Sequence, residues 1–281
     1  EYTWPFAIPA FTTTRIYARL EDGGTVVSKD FTSLSKYYGS YSESNTDFSL
    51  SYRGVSYDFV RSYDSGDNKW FFGTDATVKQ LTSAAFSATL PDGTEESFIR
   101  NGRWTYVNQR TEDTLTIEKD AVLEPTGYTV KVDDTYYAYS LEGRLTGITN
   151  KYGDEILLSW TKRSGSNTGT LADYSSVDIH DGTTNGTRHY VVAIDSSGKV
   201  TSITDPANNT IDYTYNAVGN LIEVTDQAGV TIGDYSYTET SSGSGLYRMT
   251  KSMDKSIQYN SAGRVTKELW DSGAYTNYTY D

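Results

Sequence analysis

Histidine and aspartate residues in one stretch of the chain have side chains that could bind a metal ion. Imidazole nitrogens and carboxylate oxygens are common zinc ligands, and the candidates are His180, His189, Asp178, Asp181 and Asp195. The two histidines lie on predicted strands that flank the turn dipeptides Asp181-Gly182 and Asn185-Gly186. We therefore expect solvated or cross-strand roles for both histidines, and no bound metal.

Catalytic patterns are missing from the rest of the sequence. The chain contains no HExxH pattern, no glycine-rich phosphate loop and no serine-centred elbow. Glu95-Glu96 and Asp133-Asp134 are neighbours in sequence, and neighbours on a strand point to opposite faces, which is the wrong arrangement for an acid and base pair. The sequence thus predicts a protein that is not an enzyme and that needs no cofactor.

A calcium loop has weak support, and cysteine-based sites have none. Asp64, Asp67 and Asn68 resemble half of a calcium loop but lack the later glutamate. The chain has no cysteine, which excludes thiol nucleophiles, thiolate metal sites and disulfides but leaves the redox compartment undecided.

Large aromatic residues offer the main alternative function. Exposed rings can stack on sugars in carbohydrate-binding β modules, with a cell-surface glycan as partner, and the candidates are Trp70, Phe71, Phe72, Trp104, Trp160 and Trp270. The apolar fraction is only 36%, so these rings are needed as core filler, and packing is the stronger interpretation.

Composition excludes several partners. The 281 residues carry a net charge of −13, which disfavours sequence-independent binding to nucleic acid or to an anionic membrane surface. No apolar run approaches the roughly 18 residues of a membrane-spanning helix. The 25 tyrosines, with many threonines and glycines, favour a β protein of extracellular type.

Apolar residues recur with a period of two, which is typical of strands. Ile211-Asp212-Tyr213-Thr214-Tyr215 alternates in this way, and dipeptides such as Asp92-Gly93 and Asn101-Gly102 separate the runs as hairpin turns do. Only Thr77–Phe86 has apolar spacings that allow a short helix.

An internal repeat organises the second half of the chain. Four copies share an aromatic or aliphatic residue, a polar turn, a glycine, a polar residue and an alternating strand. The repeat positions are Tyr139, Gly143, Gly198, Tyr215, Gly219, Tyr259, Gly263 and Tyr280. Each copy continues through a second turn into a run that ends on an aromatic residue, namely Trp160, Tyr215, Tyr237 or Tyr280.

Each repeat has the length of about one hairpin, with the glycine at a turn position where a Cβ atom would be obstructed. Because a single hairpin is only marginally stable, the units must stack edge to edge. The sequence predicts an all-β fold of antiparallel hairpin repeats in one continuous curved sheet.

These repeats resemble the YD repeat of the Rhs family, which includes wall-associated proteins, Tc-toxin cocoon subunits and teneurins. The resemblance rests on the aromatic, Asp or Asn, two free positions and Gly, then Arg, Lys or Asn, Leu or Val, and Thr, and it is closest over Gly198–Tyr215. It extends over residues 60–281 and leaves 1–59 unassigned. Ile194 and Leu269-Trp270 depart from the pattern.

The resemblance implies a ribbon that forms part of a β-shell. We expect a β-rich region over residues 1–127 and a YD-repeat array over 128–281 that ends within a repeat. The implied role is a non-enzymatic structural module of a secreted or cell-surface bacterial protein that scaffolds or encapsulates a polymorphic toxin, or presents an adhesive surface. Its partners would be the rest of the parent chain and its C-terminal toxin. No catalytic residue carries over from the family.

Overall fold

A computed structural model describes residues 39–182 and 188–280 of the protein. These residues form strands joined by short turns. The first three strands, β1 (Ser42–Tyr52), β2 (Val55–Asp64) and β3 (Lys69–Phe72), form a separate antiparallel sheet in that order. Two 3₁₀ turns, at Gly73–Asp75 and Leu171–Asp173, are the only helical segments in the described ranges.

The remaining strands form a second, much longer sheet. They are β4 (Thr77–Thr82), β5 (Ala85–Thr89), β6 (Glu95–Arg100), β7 (Thr105–Val107), β8 (Thr114–Lys119), β9 (Pro125–Val132), β10 (Thr135–Ser140), β11 (Leu145–Asn150), β12 (Glu155–Lys162), β13 (Tyr174–Asp181), β14 (His189–Ile194), β15 (Val200–Thr204), β16 (Thr210–Tyr215), β17 (Leu221–Asp226), β18 (Thr231–Glu239), β19 (Tyr247–Ser252), β20 (Lys255–Tyr259), β21 (Val265–Trp270) and β22 (Tyr275–Asn277).

Each strand of this ribbon pairs antiparallel with the next one along the chain, from β4 to β22. No register among the described residues joins β4 to β22, so the 19 strands form an open series. The predicted all-β fold of antiparallel hairpins in one continuous sheet is confirmed. Successive turns lie on alternate edges of the ribbon, which places the two turns of each repeat on opposite edges.

The ribbon curls back on itself near its beginning. Thr77 at the start of β4 forms an isolated antiparallel bridge with Arg144, which directly precedes β11. The Val78 N–H donates a hydrogen bond of 3.0 Å to the carbonyl of Gly143. Strand twist therefore accumulates over β4–β11 until the first strand meets the eighth.

Strands β4 and β5 replace the short helix that the spacing in Thr77–Phe86 allows. The two strands meet at a tight turn, with Thr77 opposite Thr89 and Gln80 opposite Phe86. Val78 and Phe86 are buried, whereas Leu81 is 59% exposed. The helical interpretation was wrong because apolar residues from two strands, read across a turn, imitate helical spacing.

The core lies between the two sheets. Strand β2 buries alternate residues, namely Val55, Tyr57, Phe59, Arg61 and Tyr63. It packs against β11 and β12, while β1 packs against β13. The first sheet thus occupies the concave face of the ribbon, and each fully buried apolar side chain there contributes about 1.5–3 kcal/mol.

The expected boundary between residues 127 and 128 falls within β9. Gly127 and Tyr128 both pair with β10, opposite Ser140 and Tyr139. Hydrogen bonding between strands alone does not define a domain, so the division into 1–127 and 128–281 stays a prediction.

Candidate functional site: the repeat turns and the buried sheet

The turn of the repeat is held by the side chain of its first residue. In the turn after β14, Oδ1 of Asp195 accepts hydrogen bonds from the N–H groups of Ser197 and Lys199, at 2.8 and 2.9 Å. The Gly198 N–H donates to the Asp195 carbonyl at 3.0 Å. One carboxylate thus satisfies two turn N–H groups, which is the physical reason for Asp or Asn at this position.

Asparagine side chains accept the equivalent turn hydrogen bonds in two other copies. Oδ1 of Asn216 accepts from Asn220 at 2.9 Å, and Oδ1 of Asn260 accepts from Arg264 at 3.0 Å. The φ angles of the four repeat glycines, Gly143, Gly198, Gly219 and Gly263, are 78°, 84°, 91° and 80°. The backbone at all four repeat glycines is therefore left-handed.

Gly143 has a second reason to be glycine. A Cβ atom built on it would lie 2.2 Å from the carbonyl oxygen of Val78. This is the place where the ribbon meets its own first strand, so any side chain would push the two segments apart.

The aromatic residue that ends each repeat clamps the start of the same repeat. The Tyr215 hydroxyl donates to the carbonyl of Val200 at 2.8 Å, and the Tyr280 hydroxyl to that of Val265 at 2.6 Å. Equivalent bonds join Trp160 to Leu145 and Tyr237 to Leu221, both at 2.7 Å. In every case the acceptor is the second residue after the repeat glycine.

The residue between the glycine and this acceptor covers the aromatic ring in two copies. Lys199 Nζ lies 5.1 Å from the ring centroid of Tyr215, and the Arg264 guanidinium lies 5.4 Å from that of Tyr280. Such cation–π contacts explain why lysine and arginine recur there. These positions were identified from the sequence but the four clamps were not, although their donor follows the acceptor by 15 residues in three copies and by 16 in the fourth.

The two other repeat tyrosines also use their hydroxyls. Tyr139 donates to the carbonyl of Thr89 at 3.3 Å, and Tyr259 donates to that of Met249 at 2.8 Å. Burial is the main cause that raises the pKa of Tyr139, Tyr215 and Tyr259 above the ordinary tyrosine value. All eight repeat positions thus lie in turns or interior contacts of the ribbon.

A buried ion pair joins the first sheet to the ribbon. Arg61 Nε lies 2.8 Å from Oδ1 of Asp47, and both side chains are 2% exposed. The Tyr213 hydroxyl donates to Oδ2 of Asp47 at 2.6 Å, and Arg61 also donates to the Tyr235 hydroxyl. Sequence reasoning missed this site; the available signal was a charged residue at an inward-facing position of β2.

Aromatic side chains form the rest of this contact. Trp70 Nε1 donates to the Tyr237 hydroxyl at 2.7 Å, and the Met249 N–H donates to the Tyr63 hydroxyl at 3.0 Å. Phe48 and Tyr190 stack with ring centroids 4.2 Å apart. The contact between the first sheet and the ribbon therefore depends on specific hydrogen bonds and ring stacking as well as on apolar burial.

The histidines lie opposite each other on β13 and β14. His180 and His189 have ring centroids 5.1 Å apart. Nδ1 of His180 lies 2.9 Å from the Asp181 carbonyl oxygen, and Nδ1 of His189 lies 2.9 Å from Oδ2 of Asp178. The expected cross-strand role is found. No group of three metal-ligating side chains is assembled within residues 39–182 and 188–280, and Asn185-Gly186 lies outside them.

The remaining acidic candidates are distributed over turns and strands. Glu95 is exposed, whereas Glu96 binds the side chain of Asn108. Asp133-Asp134 forms the turn between β9 and β10. Oδ1 of Asp64 accepts a 2.6 Å hydrogen bond from the Gly66 N–H in the β2–β3 turn, which is a turn-stabilising contact.

The described tryptophans are engaged by the protein itself. Trp70 and Trp160 donate the hydrogen bonds described above. Arg103 and Lys119 lie 5.1 and 5.2 Å from the Trp104 ring centroid, and Lys255 lies 5.5 Å from that of Trp270. Trp70 and Trp160 pack against the core, whereas Trp104 and Trp270 are half-buried and lie outside the core cluster of the described residues.

The geometry defines a class of protein: a ribbon of hairpin repeats in which an Asp, Asn or Ser side chain holds the turn and an aromatic side chain clamps the unit. Comparison with known families agrees, because residues 195–238 match the RHS repeat. The chain therefore contains an RHS repeat over residues 195–238, and the resemblance seen in the sequence is confirmed. No curated protein matches the sequence.

Matching solved structures include three of TcdB2-TccC3. They are "TcdB2-TccC3-TEV", "TcdB2-TccC3-Cdc42" and "TcdB2-TccC3", with 10%, 12% and 11% sequence identity and a TM-score of 0.29 each. Each alignment covers 85% of this chain and 15% of the other. With a TM-score this low, no property of those proteins is carried over to this chain. Among the described residues, no helix has the length and apolar character needed to cross a membrane.

Proposed function

We propose that this chain is a non-enzymatic structural module of a secreted or cell-surface RHS-repeat protein. Its ribbon scaffolds or encapsulates a C-terminal toxin of the parent chain, or presents an adhesive surface. The repeat proper occupies residues 128–281, and a β-rich region over 1–127 precedes it. The partners are the remainder of the parent chain and its toxin.

The use of the repeat side chains is the observation that supports this proposal. The turn residues Asp195, Asn216 and Asn260 bind their own backbone, and the clamping rings bind carbonyl groups of the ribbon. A repeat whose recurring residues all stabilise its own fold is typical of a scaffold. The ribbon already packs against a folded element, β1–β3, so one of its faces is able to hold polypeptide.

Protease protection tests the encapsulating role. The chain would be expressed with the sequence that follows it in its parent protein, as the wild type and as Gly219→Val. We expect the downstream segment to resist protease in the wild type and to be cut in the variant, because a loosened turn opens the ribbon. Ser261→Ala, an exposed turn change, is the matched control. Equal cleavage in all three chains would oppose encapsulation.

A glycan screen tests the absence of enzyme activity and the carbohydrate-binding alternative together. We expect no release of reducing or unsaturated sugar by the wild-type chain. We also expect no change in tryptophan fluorescence with neutral oligosaccharides, since cations cover the rings of Trp104 and Trp270. Sugar release that disappears in His180→Ala or His189→Ala would contradict the proposal.

A further inference from the structure

A cavity of about 740 Å³ lies between β1 and the ribbon strands β14–β17. This volume is within the range of about 300–1,000 Å³ that is usual for ligand pockets. One wall is apolar and is formed by Phe48, Tyr190, Ile203 and Ile211. The stacked rings of Phe48 and Tyr190 make this wall rigid.

The lining also carries two carboxylates at successive turns on one edge of the ribbon. They are Asp205, in the β15–β16 turn, and Asp226, the last residue of β17 before the β17–β18 turn. Both bind only uncharged donors: Asp205 accepts from Ala207 and Asn209, and Asp226 accepts from Ala228 and Val230. Hydrogen bonds from Asn209 lower the pKa of Asp205 below the ordinary aspartate value, so this group is ionised at neutral pH.

No basic side chain among the described lining residues balances these charges. The cavity is lined by a third carboxylate, Asp47, but its charge is neutralised by Arg61 at 2.8 Å. The net charge of −13 for the whole chain adds to the negative potential. The lining therefore disfavours an anionic ligand and favours a cationic one.

We propose that this cavity binds a basic segment of a partner polypeptide. A lysine or arginine side chain places its charged end between Asp205 and Asp226 and lays its alkyl stem on the wall formed by Phe48, Tyr190 and Ile211. Long basic side chains combine these two properties. This binding site goes beyond the structural role proposed above and does not depend on the identity of any toxin.

Replacement of the two aspartates by asparagine tests the charge without removing the turn acceptor. Asn216 and Asn260 hold equivalent turns in this chain through Oδ1. The double variant Asp205→Asn/Asp226→Asn thus keeps both turns and removes both charges. The matched control is Asp120→Asn/Asp195→Asn, which removes two charges from turns on the other edge of the ribbon, where each Oδ1 accepts turn N–H groups in the same way.

The probe is a capped lysine–leucine–lysine tripeptide, titrated calorimetrically into the whole chain at low and at physiological salt. We expect saturable binding that weakens with salt, a dissociation constant at least about tenfold higher in the double variant, and about the wild-type value in the control. Gln227→Lys, which places a cation at an exposed position of the cavity lining, provides a second variant and should also weaken binding.

Three outcomes would overturn the proposal. They are equal affinity for the double variant and the control, no saturable binding by the wild type, and stronger binding of a neutral oligosaccharide than of the tripeptide. Circular dichroism and thermal unfolding of every variant establish that each chain is folded before its affinity is compared.

Discussion

Arg61 of β2 and Asp47 of β1 form an ion pair of 2.8 Å in which both side chains are 2% exposed. Tyr213 and Tyr235 of the ribbon hydrogen bond to this pair from the facing sheet. The ion pair therefore lies in the contact between the two sheets. Its hydrogen bonds with the two tyrosines form only when the first sheet occupies one position on the ribbon.

Removal of one partner of this pair should be costly. Arg61→Met leaves the Asp47 carboxylate buried without its cation, and we expect a loss of about 3–5 kcal/mol in the free energy of unfolding. The double variant Arg61→Met/Asp47→Leu should recover much of this loss. Urea unfolding measures both.

The matched control for this prediction is an exposed pair. Lys151 Nζ lies 2.7 Å from Oδ2 of Asp134, and these side chains are 47% and 68% exposed. Lys151→Met should leave the unfolding midpoint almost unchanged. A loss for Arg61→Met as small as that of the control would show that the buried pair is not important for stability.

The aromatic clamp can be tested by deletion of one hydroxyl. Tyr215→Phe removes the hydrogen bond to the Val200 carbonyl and leaves that acceptor buried, so we expect a loss of about 0.5–1.5 kcal/mol. Tyr275 is 60% exposed, and Tyr275→Phe serves as the control with no measurable change. Equal urea midpoints for the two variants would refute the clamp.

Gly219 tests the left-handed turn. Its φ of 91° is unfavourable for a β-branched residue, and Gly219→Val should destabilise the protein by about 1–3 kcal/mol. Ser261→Ala, in an equivalent turn, changes an exposed residue and should have little effect. The turn assignment fails if thermal unfolding shows the same loss for both.

Leu123 occupies the position that glycine holds in the repeat turns. Its N–H donates to the Asp120 carbonyl at 3.1 Å, its φ is 69°, and its side chain is 52% exposed. Leu123→Gly relieves the strain of a left-handed leucine and loses little buried surface, so we expect a gain of about 0.5 kcal/mol. Leu141→Gly, at an exposed turn position without a positive φ, should not stabilise the protein. Destabilisation by Leu123→Gly would contradict this prediction.

Because several tyrosines are buried, we expect the folded protein to lose stability steeply at alkaline pH. Burial raises the pKa of Tyr63 to about 12, and burial also raises the pKa of Tyr57, Tyr139, Tyr213, Tyr215, Tyr235, Tyr237 and Tyr259. The unfolded chain releases these protons near pH 10, whereas the folded chain keeps them. The stabilisation is thus complete below about pH 10 and is lost as pH rises toward 12. Urea midpoints that stay constant from pH 9 to 11.5 would disprove it.

The local features of the fold could be predicted because their causes lie within a few residues. The Asx acceptor and its donors are two and four positions apart, as in Asp195 with Ser197 and Lys199, and strand alternation has a period of two. The same local view failed at Thr77–Phe86, where a tight turn joins two strands and mixes their apolar positions.

The sequence by itself determined the hairpin repeat, the turn residues and the all-β class, since hydrogen bonds between near neighbours produce all three. Only the tertiary structure decided that Arg61 meets Tyr235, 174 residues further along the chain, and that Asp205 and Asp226 line the same cavity as residues of β1. Such contacts depend on twist accumulated over many strands, and a small change of twist at each strand moves the distant partner by many ångströms.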